Sequence, residues 1–313
     1  MIDSWQFFLV FSAVAIGWLL GRIGRLGPNA DSGPQHRQYY KGLNYLLNDQ
    51  PDSALDSFIT SLEVNSETLE THIAVGNLMR RKGEVDRAIR IHQNLLSRPS
   101  LPRLHLHHAH LELARDYISA GLLDRAERLL KDLIEESVEL RDISMRHLME
   151  IYQDEKEWIK AIHVARQLLP RRSLLKSAVT ADRAVVRALS HYCCELAKRA
   201  IRKNDYQSAR AYLKKALSYD SSSVRASMLV ADIEFQTGHY RRAIKNLRKV
   251  RGQDPAFIPE TMELLNASYE HLGRSEEYYR YLMEALDHSP SVSILLPVAE
   301  HMAKVQGDAA AGA

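Results

Sequence analysis

Small residues that recur every 34 positions are the feature that most constrains what this 313-residue chain can fold into. Gly42 and Gly76 are 34 residues apart, and so are Ala54 and Ala88. This period is typical of tetratricopeptide repeats, in which each unit is a helix, a turn and a second antiparallel helix. Small side chains at these positions let the two helix backbones approach closely, whereas larger ones would push them apart.

Further segments follow the same template with some drift, up to a seventh repeat. An alanine marks each of them in the predicted second helix, at Ala126, Ala161, Ala209, Ala243 and Ala285. Another first helix begins near residue 291, and the chain stops before a partner helix. Because the chain also has only 14 Gly and 10 Pro, the sequence predicts an all-α fold, a solenoid of about seven to eight helix-turn-helix repeats.

The spacing of matching alanines widens once, to 48 residues between Ala161 and Ala209, which is 14 more than one repeat. Pro170 ends the helical pattern before this gap, and Thr180 or Asp182 can cap the helix after it. We interpret the inserted residues either as an extended helix that changes the course of the solenoid or as a hinge between two lobes.

Residues 4–21 form an uncharged, apolar stretch that would span roughly 27 Å as a helix, just enough to cross a bilayer. Aromatic rings lie near both ends and arginines follow it, so the positive-inside rule places the N-terminus outside and the rest of the chain in the cytoplasm. The residues of this predicted anchor are Trp5, Phe8, Leu9, Trp18, Arg22 and Arg25. A cleaved signal peptide is the rival interpretation, and it fits less well because no Lys or Arg precedes the apolar run.

The predicted organisation has five parts. They are a transmembrane anchor at 1–26, a tether at 27–34, an N-terminal repeat lobe at 35–170, a connector at 171–180, and a C-terminal repeat lobe at 181–313 that ends within a repeat. The tether is assigned from its two Gly and two Pro, which favour a short flexible link between membrane and repeats.

Composition and motifs argue against two classes of function. The chain has 42 Lys and Arg against 39 Asp and Glu, and a net charge of +3 is too small to imply nucleic-acid binding. The sequence has no GxSxG elbow, no GxxxxGK[ST] phosphate loop, no HExxH motif and no GxGxxG after a strand. We therefore predict that the protein is not an enzyme.

Four histidines cluster on the predicted first helix of the third repeat, at His105, His107, His108 and His110. His105, His108 and Glu112 have helical spacing, so one face could offer two imidazoles and a carboxylate to a divalent metal. Because no further ligand is evident, a solvated or partner-facing surface is the favoured interpretation.

The two cysteines, Cys193 and Cys194, are adjacent and follow His191 and Tyr192. Neighbouring cysteines cannot bridge each other without strain, which indicates a reducing compartment. One interpretation is a nucleophilic thiol beside a histidine. The repeat register places both cysteines on a first helix, where free cysteine usually behaves as a small buried apolar residue, and this interpretation is favoured.

Partners of such solenoids usually bind the concave groove that the first helices line. The repeat register predicts that this groove includes Asn77, Arg80, Arg81, Arg115, Arg146, Glu150 and Gln153. We take Arg80, Arg81 and Arg115 as the main contacts, because arginine binds carboxylates in bidentate fashion, and an acidic peptide is then the expected ligand. The later groove is acidic through Glu260, Glu263 and Glu270. A merely solvated charged face is the alternative.

Four segments together resemble a known family. They are GEVDRAIRIHQNLL at 83–96, DYISAGLLDRAE at 116–127, EWIKAIHVARQL at 157–168 and HYCCELA at 191–197. With the N-terminal apolar stretch, they resemble the lipopolysaccharide assembly protein B family, also called LapB or YciM. The resemblance extends to about residue 300, which is nearly the whole chain.

This resemblance implies a protein of the bacterial inner membrane with cytoplasmic tetratricopeptide repeats, which restrains lipopolysaccharide synthesis. Members of the family act with the membrane protease FtsH to promote degradation of LpxC, the deacetylase that commits precursor to lipid A. They are countered by an inner-membrane regulator, PbgA, also called YejM. The implied role is that of an adaptor, with a homodimer as a further expectation.

The C-terminal end departs from the family pattern. Family members end in a rubredoxin-like module in which two CxxC pairs bind a metal, and this sequence contains no CxxC pair. We therefore expect no metal or other cofactor in this chain, which is either a truncated form or a relative without the module.

The sequence thus predicts a membrane-tethered adaptor that brings a substrate to a membrane protease. One alternative is a structural scaffold that assembles lipopolysaccharide-synthesis and envelope proteins without controlling proteolysis. A third hypothesis is a metal-responsive module built on the histidine cluster.

Overall fold

The computed structural model describes residues 69–97, 102–170, 182–288 and 290–306, together with residues 41, 44, 45, 47, 48, 53 and 57. The predicted anchor, tether and connector lie outside these residues, and so do Gly42 and Ala54. Among the residues described, no helix has both the length and the apolar character that crossing a membrane requires.

The elements of the described ranges are helices. They are α1 Leu69–Arg81, α2 Val85–Leu96, α3 Arg103–Ser119, α4 Leu123–Glu136, α5 Arg141–Asp154, α6 Trp158–Gln167, α7 Arg183–Ile201, α8 Tyr206–Tyr219, α9 Val224–Gln236, α10 Tyr240–Gln253, α11 Ile258–Glu270, α12 Ser275–His288 and α13 Val292–Gln306, with a short 3₁₀ turn at Pro255–Phe257 before α11. The prediction of an all-α repeat fold is confirmed for this part of the chain.

The alanines of the repeat pattern are buried in the described helices, as the pattern predicts. The alanines Ala88, Ala126, Ala161, Ala209 and Ala243, one on each of five second helices, are fully buried. Gly76 on α1 faces the imidazole of His92 on α2, and a Cβ at this position would lie only 2.5 Å from two ring atoms. Glycine is therefore required for the close approach of α1 and α2.

A residue in the left-handed region of φ lies between the first and second helix of each pair. Glycine takes this place at Gly83, Gly121, Gly238 and Gly273. Lys156, with φ of 59°, and Asn204, with φ of 57°, take it in the other two pairs. Side chains with a Cβ pay a steric cost in this region, so these two turns carry backbone strain that the glycine turns avoid.

The chain forms two compact units, Met1–Ala120 and Gly121–Ala313. In the first unit, α2 packs against both α1 and α3, and α1 also contacts α3. In the second unit, each helix from α4 to α13 packs against the next one along the chain. The boundary between the two units lies at residue 120. Helices α6 and α7, on either side of the predicted connector at 171–180, pack directly against each other.

The helices of the second unit lie in two layers. The first helix α9 contacts the first helices α7 and α11 of the neighbouring repeats. These three therefore form an inner layer, and the second helices α6, α8 and α10 form an outer one. Leucines at 213, 247 and 265 are fully buried between the layers. The inner layer consists of first helices, the helices to which the sequence assigns the groove.

Asp182 is the N-cap of α7. Its carboxylate accepts a hydrogen bond from the backbone N–H of Ala184 at 2.8 Å. This confirms one of the two caps that the sequence offers after the widened gap. The preceding helix α6 ends at Gln167, shortly before Pro170, as the proline predicts.

Candidate partner-binding surface

Arg80 of α1 is held by side chains of its own unit. Its guanidinium donates hydrogen bonds to the carboxylates of Glu112 at 2.7 Å and Asp116 at 2.6 Å, both on α3, and to the side-chain oxygen of Asn77 at 2.7 Å. Burial lowers the pKa of Arg80, but the two carboxylates more than offset it and raise the pKa above its ordinary value. The predicted groove residues Asn77 and Arg80 are therefore bonded to each other, and Arg80 is also bonded to α3 within the unit.

Asp116 connects Arg80 to a buried histidine. The side chains of Asp116 and His92 are fully buried, and Oδ2 of Asp116 lies 2.5 Å from Nδ1 of His92. A buried carboxylate is costly unless it is paired, so the guanidinium and the imidazole together make this burial tolerable. Sequence reasoning missed this cluster of Arg80, His92 and Asp116, which we call the α1–α3 charge cluster.

Arg81 and Arg115 differ from Arg80 in their surroundings. Arg81 is exposed at the last residue of α1, and no hydrogen bond or ion pair joins it to another described residue. Arg115 donates to the carboxylate of Glu112 at 2.5 Å and is only partly exposed. Of the three arginines predicted as main contacts, Arg81 is thus the most accessible to a partner.

The predicted groove residues of α5 pair with neighbouring polar side chains at the surface. Arg146 lies 2.8 Å from Asp182, and 42% of its side chain is exposed. Glu150 lies 3.0 Å from His147, and 62% of the side chain of Glu150 is exposed. Exposed ion pairs of this kind contribute little to stability, at most about 1 kcal/mol. A partner can therefore replace them at low cost.

Aromatic rings join α6 to α7. The ring of Trp158 stacks on that of Tyr192 with centroids 5.8 Å apart, and His191 meets Trp158 edge-on at 6.0 Å. The hydroxyl of Tyr192 donates to Gln153 at 3.0 Å. Gln153, which the sequence assigns to the groove, is therefore held by α7, and these contacts fix α6 against α7.

Arg225 of α9 reaches two side chains of α7. It forms an ion pair with Glu195, and its guanidinium lies 2.7 Å from Nδ1 of His191. Burial and the positive charge of Arg225 lower the pKa of His191. A neutral imidazole that accepts from Arg225 is the arrangement consistent with this electrostatic setting.

The two cysteines are buried on α7. Burial raises the pKa of both thiols, and that of Cys194 reaches about 11. A thiol with this pKa stays protonated at neutral pH and is a poor nucleophile. The interpretation of Cys193 and Cys194 as small buried apolar residues is confirmed, and the nucleophile hypothesis finds no support.

The histidines of α3 do not form a common face. His107 is buried, His105 and His110 are partly exposed, and His108 is exposed. Glu112, the carboxylate of the metal hypothesis, already accepts from Arg80 and Arg115. Within the described ranges, no group of three or more His, Cys, Asp and Glu side chains is arranged to hold a metal ion.

The glutamates of the predicted late groove lie on α11. Glu260, Glu263 and Glu270 are all exposed. Glu270 accepts a hydrogen bond from Asn266 one turn earlier. The structure thus leaves these carboxylates on the surface of the inner layer, where a cationic group of a partner can reach them.

A cavity of about 720 Å³ lies between α4, α5 and α6. Its walls include the apolar side chains of Met145, Leu148 and Val164, and Lys160 and His163 also line it. The side chain of Lys160 lies over the ring of Tyr152, 5.3 Å from its centroid. Sequence reasoning missed this cavity, because it forms only where three helices meet.

Comparison with known proteins gives one family model and close relatives. A tetratricopeptide repeat model matches residues 194–259. Lipopolysaccharide assembly protein B of Escherichia coli K12 is 35% identical over 306 residues, which cover 97% of this chain and 76% of that protein. The protein of the same name from Haemophilus influenzae is 32% identical over 319 residues, which cover 98% of this chain and 77% of that protein.

Solved structures resemble the chain more weakly. The C-terminal part of a TPR repeat-containing protein from Cytophaga hutchinsonii is 14% identical with a TM-score of 0.44, and the match covers 76% of this chain and 92% of that one. The MamA protein is 17% identical with a TM-score of 0.31, over 77% of this chain and 97% of that one. At these scores the structural matches carry no argument about function.

Proposed function

Because the chain belongs to the lipopolysaccharide assembly protein B family, we propose that it is a membrane-anchored adaptor that regulates lipopolysaccharide synthesis by promoting FtsH-dependent degradation of LpxC. The observation that carries this proposal is 35% identity over 97% of the chain. The adaptor neither cleaves nor modifies LpxC; it holds the substrate near the protease.

The chemistry of the described surface supports an adaptor over an enzyme. The α1–α3 charge cluster is occupied by bonds within its own unit. The cysteines are buried with raised pKa values. What remains at the surface is a set of charged side chains on stacked helices, and tetratricopeptide repeats use such surfaces to bind other proteins.

The proposed location is the bacterial inner membrane. Residues 4–21 would form a single membrane-spanning helix, with the N-terminus in the periplasm and the repeats in the cytoplasm. An anchor of this kind confines the repeats to the membrane surface, which raises their effective concentration for FtsH and for the inner-membrane regulator PbgA (YejM). The adaptor thus promotes LpxC degradation mainly through proximity.

Within each unit, we propose the exposed charges as partner contacts. Arg81 of the first unit is accessible, whereas Asn77, Arg80 and Arg115 act mainly by positioning the surface around it. In the second unit, Arg146 and Glu150 offer weak surface pairs that a partner can replace. An acidic segment of LpxC or of the regulator is the ligand class that an exposed arginine favours.

The proposal can be tested with the full chain reconstituted in vesicles together with FtsH and LpxC. We expect the chain to bind LpxC and to accelerate its loss. Arg81→Glu should weaken LpxC binding about tenfold, which is the effect of one lost charge pair. The matched control is Arg90→Glu, which makes the same charge change at an exposed position of α2 and should leave binding unchanged.

Two outcomes would redirect the proposal. If the chain binds LpxC and FtsH but leaves the rate of LpxC loss unchanged, the structural-scaffold alternative is the better account. If Arg81→Glu and Arg90→Glu change LpxC binding equally, Arg81 is not a contact for LpxC. A chain that lacks residues 1–25 should lose the acceleration and keep LpxC binding, because only its confinement to the membrane is removed.

A further inference from the structure

Three consecutive second helices of the second unit contain no acidic residue. These helices are α6, α8 and α10, and together they comprise 38 residues. The whole chain has 39 Asp and Glu among 313 residues, so about five would be expected in a stretch of that length. The basic residues remain, and the outer layer of the second unit is consequently strongly positive.

Helix α10 carries most of this charge. Its basic residues are Arg241, Arg242, Lys245, Arg248, Lys249 and Arg251. All except Arg251 are exposed, while Ala243, Leu247 and Val250 are fully buried against the inner layer. At about 100° of rotation per residue, the cations therefore cover the side of α10 that points away from the core.

Only part of this charge is neutralised by neighbouring carboxylates. Arg251 lies 3.5 Å from Glu284, and Arg242 lies 3.8 Å from the buried Glu234. For Arg241, Lys245 and Arg248, no ion pair to a described residue is present. They line an open cavity of about 430 Å³ with Arg274 and Glu277, which bond to each other at 2.6 Å.

The neighbouring helices extend the same face. Lys214 and Lys215 of α8 are exposed, and so are Lys160 and Arg166 of α6. Asp205, which caps α8, is an acidic residue at the end of one of these helices. We refer to the exposed basic surface of α6, α8 and α10 as the outer basic face.

The chemistry of this face favours an anionic surface over a protein partner. Protein interfaces normally have an apolar centre, and neither α8 nor α10 has a large exposed apolar side chain. Clusters of four to eight Lys and Arg on one surface are typical of proteins that bind anionic lipid headgroups, each contributing about 1 kcal/mol near the bilayer. Helix α6 adds one large exposed apolar side chain, Ile159, at an end of the face. A positive face with so little exposed apolar surface matches a layer of phosphate groups.

We propose that the outer basic face binds the anionic phospholipid headgroups of the membrane that holds the anchor. The proposal rests on the membrane attachment given under the proposed function. Docking of the outer layer on the bilayer leaves the inner layer of the second unit, with the glutamates of α11, directed toward the cytoplasm. The membrane would thus set which side of the second unit is open to partners.

The test uses the full chain in vesicles of phosphatidylcholine with or without phosphatidylglycerol. Cys193 and Cys194 are buried, so an introduced surface cysteine can be labelled under native conditions. Ala211→Cys places an environment-sensitive dye on the exposed side of α8, and Glu263→Cys places it on α11. A quencher attached to lipid headgroups should quench the dye at 211 only in vesicles with phosphatidylglycerol, should leave the dye at 263 bright, and should lose its effect in high salt.

The decisive variant combines Arg241→Gln, Lys245→Gln and Arg248→Gln. Loss of three cations should lower the docking constant about 100-fold, because each contributes about 1 kcal/mol, which is about a fivefold factor. The matched control combines Lys82→Gln, Arg90→Gln and Arg128→Gln, which remove the same charge from exposed positions elsewhere and should leave quenching intact.

Equal quenching in neutral and anionic vesicles, or an equal loss in the control variant, would overturn the proposal. An RNA duplex that releases the dye at 211 at a phosphate concentration well below that of the vesicles would assign the face to nucleic acid instead. Flotation with neutral vesicles tests the anchor separately. If the chain does not float with them, binding to anionic vesicles alone still supports the outer basic face, and binding to neither contradicts it.

Discussion

In the first unit, Arg80 lies between α1 and α3 and bonds to two carboxylates, one of which is fully buried. In the second unit, Arg146 meets a single carboxylate at the surface, and both side chains are about 40% exposed. The same residue type thus holds helices together in one unit and remains accessible in the other. The difference comes from burial, because a charge pair away from water is costly to break and an exposed pair is not.

This contrast separates structural charges from those available to partners. The α1–α3 charge cluster fixes three helices through Asp116 and His92, so its residues are poor candidates for ligand contacts. The surface pairs of α5 and the cations of the outer basic face do not hold helices together in this way. A charged residue on a repeat helix is therefore informative about function only when its burial and partners are known.

The largest expected effect comes from Asp116→Ala. This change leaves Arg80 and His92 without their shared carboxylate and should destabilise the first unit by about 3–5 kcal/mol. Glu150→Ala in the second unit removes an exposed partner and should cost no more than about 0.5 kcal/mol. Hydrogen exchange of the amides in α1–α3 and in α5 measures both changes. Similar small effects in the two units would contradict the contrast between buried and exposed charge pairs.

When the arginines themselves are changed, we expect a smaller difference in destabilisation between the two units. Arg80→Gln should cost about 2–3 kcal/mol, because charged hydrogen bonds to Glu112 and Asp116 are lost. Arg146→Gln should cost less than about 1 kcal/mol. Proteolysis in increasing urea, with cleavage sites assigned to each unit by mass spectrometry, reports the two stabilities. Comparable costs would show that Arg80 is not a structural residue.

Two glycine substitutions should change the free energy of unfolding in opposite directions. Gly76→Ala places a methyl group 2.5 Å from the ring of His92 and should destabilise the first unit by about 1–3 kcal/mol. Gly252→Ala in α10 meets no atom within 4 Å and should stabilise the second unit by about 0.4–1 kcal/mol. Thermal unfolding followed by circular dichroism tests both. Destabilisation by Gly252→Ala would contradict the open space around it.

The smallest effect concerns the two turns of the second unit without glycine. Lys156→Gly removes the steric cost of a left-handed conformation, roughly 1–2 kcal/mol. Because glycine also gives the unfolded chain more conformational freedom, we expect a net gain of only about 0.5 kcal/mol in the free energy of unfolding. Asn204→Gly should gain less, since asparagine tolerates this region better. Denaturant midpoints of the two variants provide the comparison, and a loss of stability in Lys156→Gly would show that its side chain makes a compensating contact.

The sequence predicted the features that depend on residue size and order. The small residues fixed the repeat type, the alanines proved to be buried, and Asp182 proved to cap α7. The helix positions followed because hydrophobic and small residues recur with a period that packing requires. These predictions needed no knowledge of which helices meet across the fold.

Features that depend on contacts between distant residues were missed. The template assigns Arg80 to the groove, but the approach of α3 brings Asp116 and Glu112 within reach of its guanidinium. Trp158 and Tyr192 are separated by the widened gap, so their stacking could not be read from repeat spacing. The outer basic face is visible in the sequence as three helices without acids, but only the layers of the second unit show that these helices lie on one side.

The central claim, that this chain is an adaptor for LpxC turnover, is tested most directly by the half-life of LpxC in cells. Protein synthesis is blocked in cells depleted of their own adaptor and supplied with this 313-residue chain. The account predicts rapid loss of LpxC, and equally rapid loss with the Arg90→Glu variant, which changes an exposed side chain of α2 outside the proposed contacts. Persistent LpxC in cells where the chain is folded and in the membrane would contradict the claim and favour the scaffold alternative.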